Sequence, residues 1–224
     1  PYMTQADMDW RSASGVWNGW LEAYARTRID FGAIAGRIFK DPSATGVNLY
    51  ELVKQILFFS CHLPGCPVEQ VGFFDLFTEA ELLELGRIEP AEFYFQKGCY
   101  PHPGARADEL AESLLNDFLV KTLQDLADGM SARLRFGHDG CMMSLFALMQ
   151  CPGWDQVTDD MDEIWGMWDN SRIPMAANLQ VVFYRSAKGE VIFTWLLNEA
   201  PAALPLEEVA PGFYRWDDFV AKYR

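Results

Sequence analysis

The hydrophobic rhythm of the chain changes once, at Gly129, and that change limits what it can fold into. Before it, apolar residues recur at helical spacing; after it, they gather in short runs with strand character. In "VNLYELVKQILFF", Leu49, Leu52, Val53, Ile56 and Leu57 fall on one face of a helix and read as core. "FTEAELLEL" starts with Thr78 and Glu81 at capping-box spacing, which predicts a helix start. "DELAESLLNDFLVKTLQDLADG" sets Leu115, Phe118, Leu119, Leu123 and Leu126 on one face, with Gly129 as its stop. The Gly- and Pro-rich "YFQKGCYPHPGARAD" between these helices reads as a loop.

Beyond Gly129, "ARLRF" suits a strand over Ala132 to Phe136, and "NLQVVFYR" and "EVIFTWLL" are β-rich runs joined by the hairpin signal "SAKG". The expected class is α/β: a mainly helical domain over residues 1–128, then an α/β portion over 129–224.

The half-apolar composition of the 224 residues is enough for a real core. No apolar run approaches the ~18 residues of a membrane span, and nothing near Pro1 reads as a signal segment. The chain starts without Met, which leaves a removed targeting segment open. The net charge of −14 speaks against general binding to nucleic acid or anionic membrane, so any phosphate site has to be a local pocket. The five cysteines are an odd number; Cys61 and Cys66 are near enough in sequence to pair, although spacing alone does not establish it. No Cys/His set has zinc spacing among the three histidines His62, His102 and His138, so no metal and no cofactor are expected.

"LRFGHDGCMM" then raises a chemical question, because it puts His138 and Asp139 between the short strand and an apolar helix. The carboxyl end of a strand is where open α/β sheets bind ligands, and the N–H groups of the following helix favour an anion. His138 could donate to a phosphoryl oxygen, and Asp139 could protonate a leaving alcohol if phosphate charge nearby raises its pKa; activity would then favour acidic conditions. Structural roles compete: His138 as a helix cap or core residue, and Asp139 as an N-cap. A metal-dependent phosphohydrolase would need further histidines on helices, whereas His62 in "CHLPGC" and His102 in "PHPG" read as loop residues.

"ARLRFGHDGCMMSLFALM" resembles the second catalytic motif of the histidine acid phosphatases, the group containing phytases and multiple inositol polyphosphate phosphatases. "IPMAANLQVVFYR", "WLLNEAPAALPL" and "GFYRWDDFVAKYR" look like the closing strands and C-terminal segment of bacterial members. "FFDLFTEAELLELG" and "FYFQKG" resemble the helical domain that the family inserts into its helix-sandwiched sheet. The similarity runs over nearly all of the chain. It implies catalytic roles for Asp139, as proton donor, and His138, as a phosphate ligand, and lets Lys97 of the "QKG" loop reach substrate phosphates, though a lone loop lysine is also an ordinary solvated charge. Arg133 and Arg135 flank Leu134 and either project together or form structural ion pairs. Met142, Met143, Leu145, Phe146 and Met149 read as core.

One departure stands out. The family's first motif, Arg-His-Gly with a second Arg close behind, is absent, and no His follows an Arg. The resemblance implies that the missing His is the nucleophile of a phosphohistidine intermediate and that arginines clamp the phosphate. The chain then reads as the C-terminal portion of an inositol polyphosphate phosphatase, inactive without that upstream segment and expected to need its missing N-terminal half as partner. Two alternatives remain: a broad-specificity acid phosphatase, and a non-catalytic anion-binding or interaction module. Bacterial relatives imply a periplasmic or secreted location. Loss of the first half should expose an apolar strand and an unpaired edge, so the chain alone is expected to self-associate or aggregate.

Overall fold

The computed structural model describes residues 9–10, 15–63, 72–101 and 108–224. It has mixed α/β architecture, and no described helix is long and apolar enough to cross a membrane. His102 and Cys66 lie outside the described residues, and with Cys66 the pairing to Cys61 that the spacing allows. The chain divides into two compact units, Ala13–Glu92 and Pro1–Ser12 with Phe93–Arg224.

The Ala13–Glu92 unit is helical. It holds α1 (Val16–Arg28), α2 (Phe31–Ala35), α3 (Leu49–His62), α4 (Glu79–Leu85) and the start of α5 (Ile88–Lys97). Short polar side chains start α2 and α3: Asp30 accepts from Ala33 N at 2.9 Å, and Asn48 accepts from Tyr50 N at 3.0 Å. Such caps satisfy N–H groups that a helix start leaves without partners. The capping box at α4 is formed in both directions, Glu81 N to Thr78 Oγ1 at 3.3 Å and Thr78 N to Glu81 Oε2 at 2.7 Å. Trp17, Leu21, Ile34, Tyr50, Val53 and Leu85 are buried; of the apolar α3 set only Val53 is fully so, the other four being half-buried. His62 ends α3 rather than lying in a loop, since its Nδ1 reaches the Phe58 carbonyl one turn back at 2.7 Å.

The second unit is built on an antiparallel sheet. Its strands are β1 (Leu179–Arg185), β2 (Val191–Leu197), β3 (Ala200–Pro201), β4 (Glu208–Ala210) and β5 (Phe213–Arg215), in the order β1-β2-β5-β4 with β3 also on β2. The "SAKG" hairpin forms as expected, pairing Leu179 with Leu197 and Arg185 with Val191. Gly189 has φ +91° in that turn, a conformation other residues rarely adopt. Strand alternation sends Phe193, Trp195 and Leu197 inward. The two aromatic rings meet α6 (Asp108–Asp128), α7 (Asp139–Leu148) and α9 (Trp216–Tyr223), while α8 (Met161–Met167) follows α7 in the chain. Trp195 joins all three helices, with ring centroids 6.4 Å from Phe118 of α6, 6.3 Å from Phe146 of α7 and 6.1 Å from Phe219 of α9. Each aromatic contact of this kind contributes about 0.5–1.5 kcal/mol beyond the area it buries.

Three expectations need correction. A boundary near residue 128 is not where the contacts divide, because Phe118 ties α6 into the sheet's core beside Trp195, Trp216 and Phe219. On α6 it is Thr122 that turns inward, whereas Leu123 is 37% exposed. Ala132 to Phe136 is not a strand: residues 130–138 carry no regular structure, and among the described residues 131–137 make no backbone–backbone hydrogen bond. A strand is defined by a neighbour's ladder, and this one has no neighbour among the described residues.

Glu81 makes the helical unit acid-sensitive. Both its oxygens accept from Arg37, at 2.7 and 2.8 Å, and these bonds, aided by Thr78, hold its carboxyl at about 2. A carboxylate depressed in the folded state stabilises fully above its ordinary value and loses that contribution as pH falls through the folded one. The advantage of wild type over Glu81→Gln in thermal melts should therefore be largest above pH 4.5 and shrink towards about 2. A constant difference across that window would refute the coupling.

Candidate functional site

The apolar helix α7 begins where sequence put chemistry. His138 is its N-cap residue, in extended conformation at φ −107° and ψ 155°, and its carbonyl accepts from Cys141 N at 3.1 Å. Its imidazole makes no capping bond and is exposed, so it is neither a side-chain cap nor a core residue. Asp139 is the first helical residue rather than the N-cap; its Oδ1 accepts from Gly140 N at 2.7 Å, and the side chain is exposed. Helix N–H groups and two exposed side chains of opposite proton chemistry therefore share one surface.

Burial of the following turns fixes that start. Met143, Leu145, Phe146 and Met149 are buried as expected, and Met142 half so. Phe146 lies between Trp195 and Trp154, and the Met149 carbonyl accepts from Tyr223 Oη at 2.7 Å.

Lys97 comes to the same place from α5. It is the last residue of that helix, not part of a loop, and the loop opens only at Gly98. Gly98 is needed there: a Cβ would come 2.5 Å from Tyr94 Cδ2 and 2.8 Å from the Tyr94 carbonyl. Tyr94 in turn donates to the Thr158 carbonyl at 2.8 Å and accepts from Thr158 N at 2.9 Å, and burial pushes its phenol up to about 12. One turn on, Cys99 Sγ reaches the Ala147 carbonyl of α7 at 3.6 Å. With α5 stitched down, Lys97 lies across the start of α7, where a methyl group on Gly140 would be 3.0 Å from its Cε and 3.4 Å from its Nζ. His138, Asp139 and Lys97 are thus brought to one helix start.

Arg133 and Arg135 serve differently. Arg133 pairs with Asp125 on α6, with Nη2 to Oδ1 at 2.6 Å, and that bond holds the Asp125 carboxyl below its usual range. Arg135 pairs with Asp117 and lies over the Phe118 ring at 6.0 Å. Both guanidiniums are turned to α6 and are structural. Between and beyond them, Leu134 is 79% and Phe136 94% exposed, so the stretch alternates like a strand although it is not paired like one.

Other chemistry finds less support. Cys151 is buried and its thiol is pushed up to about 12, so it holds almost no thiolate near neutrality. Among the described residues, no three His, Cys, Asp or Glu side chains gather to hold a metal ion. A shallow hollow at the turn from Arg26 to Gly32 has its guanidiniums engaged, Arg26 with Glu22 and Asn48, Arg28 with Tyr24 Oη. Sequence reasoning passed over Gly140, whose only signal is a glycine in the first turn of an otherwise apolar helix.

Exposure along α7 is directly checkable. Cys141 is exposed in the first turn, while Cys151 lies buried past the helix end. Native-state alkylation followed by peptide mapping should modify Cys141 readily and Cys151 only on unfolding; equal rates would mean that α7 is not seated as described. No family model matches the chain, and no curated protein matches its sequence.

Proposed function

We propose that this chain carries the acid and phosphate-binding half of a histidine-type phosphomonoesterase acting on inositol polyphosphates. The observation that carries this reading is the convergence of His138, Asp139 and Lys97 at the N-terminus of α7. His138 and the helix N–H groups bind a phosphoryl group, Lys97 adds positive charge, and Asp139 delivers the proton that lets the alcohol leave. Balance requires a nucleophile. The chain holds no Arg-His-Gly, so the imidazole that would take the phosphoryl group, and release it to water, comes from residues preceding Pro1.

The extended stretch over residues 131–137 supports the same reading. Its arginines are held by α6, its backbone bonds are unmade among the described residues, and Leu134 and Phe136 are bare. A strand from the preceding half of the protein would complete it, and a periplasmic or secreted location goes with the family likeness. A non-catalytic anion-binding module is the second reading, favoured by the absence of the nucleophile motif.

The polypeptide encoded by the whole gene, assayed for phosphate release from phytate and from aryl phosphates, tests the reading. Asp139→Asn should lower kcat on phytate by about a hundredfold or more, the usual contribution of a positioned general acid, and far less on aryl esters whose leaving groups need no proton. An Asp139→Asn enzyme with unchanged turnover would sink the assignment. Binding without turnover by the whole gene product would leave the module reading in its place. The present chain alone should associate through its bare strand: light scattering should give a mass above one chain, and Leu134→Lys with Phe136→Lys should bring it back to one. A monomeric wild type would count against the missing-strand argument.

A further inference from the structure

Tyr50 and Lys54 lie one turn apart on α3, and the Lys54 ammonium sits 4.8 Å from the centroid of the Tyr50 ring, within cation–π range. The ring is held from two sides. Phe31 of α2 meets it edge-on at 5.4 Å, and the Tyr50 N–H is bonded to Asn48, which Arg26 and Glu22 of α1 hold in turn. From this position the flexible Lys54 stem reaches two carboxylates. Glu92 of α5, its side chain 22% exposed, accepts a hydrogen bond from it, while Glu51, three residues back on α3 and 44% exposed, stands at 3.8 Å.

The inward carboxylate is the harder one to keep charged. Among the described residues Lys54 is the only donor to Glu92, and a buried carboxylate with a single hydrogen bond regains little of the hydration it has lost. Glu51 of α3 and Glu89 of α5 add like charge. Burial foremost, joined by these two carboxylates, outweighs Lys54 and holds the Glu92 carboxyl above its ordinary 4.5. With Glu92 neutral, no charge keeps the ammonium inward, and the more exposed Glu51 is the partner that remains. The Tyr50 hydroxyl, buried and without a hydrogen bond among the described residues, does not anchor it either.

We infer that Lys54 is a proton-operated tie between α3 and α5. With Glu92 ionised, its ammonium lies inward over Tyr50 and joins the two helices; when Glu92 takes a proton, the ammonium turns outward to Glu51 and the tie is released. One proton thus exchanges an ion pair between helices for one within α3. The inference stands on the helical unit alone and does not depend on the phosphate-site reading. Its proton linkage runs opposite to that of Glu81: a carboxyl raised on folding favours the fold below its ordinary value, and that contribution is lost as pH rises through the folded one.

NMR titration of this chain, isotope-labelled at lysine Cε and with Lys54 assigned through Lys54→Arg, tests it. At neutral pH the Lys54 methylene protons should stand upfield of a solvated lysine, shifted by the Tyr50 ring, and should return to the solvated position on acidification with a midpoint above 4.5. Glu92→Gln should place them at the solvated position at every pH. In thermal melts Glu92→Gln should gain on wild type as pH rises above 4.5, whereas the Glu81→Gln difference stays level over that range. A Lys54 signal without the upfield shift at neutral pH, or one that keeps it on acidification while the chain stays folded, overturns the tie. A signal that moves while the Glu92→Gln melting difference stays constant assigns the titration to another group and overturns the role of Glu92.

Discussion

The sheet-bearing unit depends on the side chain of Trp195. It sits on the inner face of β2 and touches an aromatic ring from α6, from α7 and from α9, so one residue sets three helices against one strand. Phe193, one inward position earlier, adds contacts to Tyr214 of β5 and to Trp216 and Phe219 of α9. Aromatic rings in edge-to-face contact fix orientation as well as distance, which aliphatic packing does less well. The N-terminus of α7 therefore inherits its position from a core more than a turn away. His138 and Asp139 can remain exposed at the surface because Phe146, on the same helix, is buried between Trp154 and Trp195.

Much of this was legible in the sequence, for reasons that differ by element. The Thr78 to Glu81 box and the "SAKG" hairpin were legible because their signals are local: a side chain bonding its own backbone, and a turn between two runs of β-branched and aromatic residues. The start of α7 was legible because an apolar run follows a polar pair. Gly98 and Pro101 give Lys97 the sequence setting of a loop, yet the helix persists to Lys97, held by Tyr94 bonding 64 residues away. The exchange of Thr122 for Leu123 on the inner face of α6 is a tertiary choice that hydrophobicity alone could not express.

The stretch over residues 131–137 has strand character in sequence and no strand pairing among the described residues. Its sequence has the alternation of a strand, and its side chains obey it: arginines to one side, Leu134 and Phe136 to the other. What it lacks among the described residues is a neighbour, and sequence patterns report the faces of a strand without reporting who lies beside it. Local chemistry and long-range pairing are separate requirements, and here only the first is met within the described residues.

The pairs Arg133–Asp125 and Arg135–Asp117 have a consequence for how such a neighbour would join. Surface ion pairs of this sort add little to the stability of a folded unit. They do restrict the backbone between them, and fixing one residue's backbone costs about 1–2 kcal/mol in conformational entropy. A tethered strand would meet a partner with part of that disorder already removed, so in any such pairing the ion pairs would act on rate and cooperativity more than on the unit that carries them. High salt, by loosening the tethers, would slow pairing without unfolding either unit.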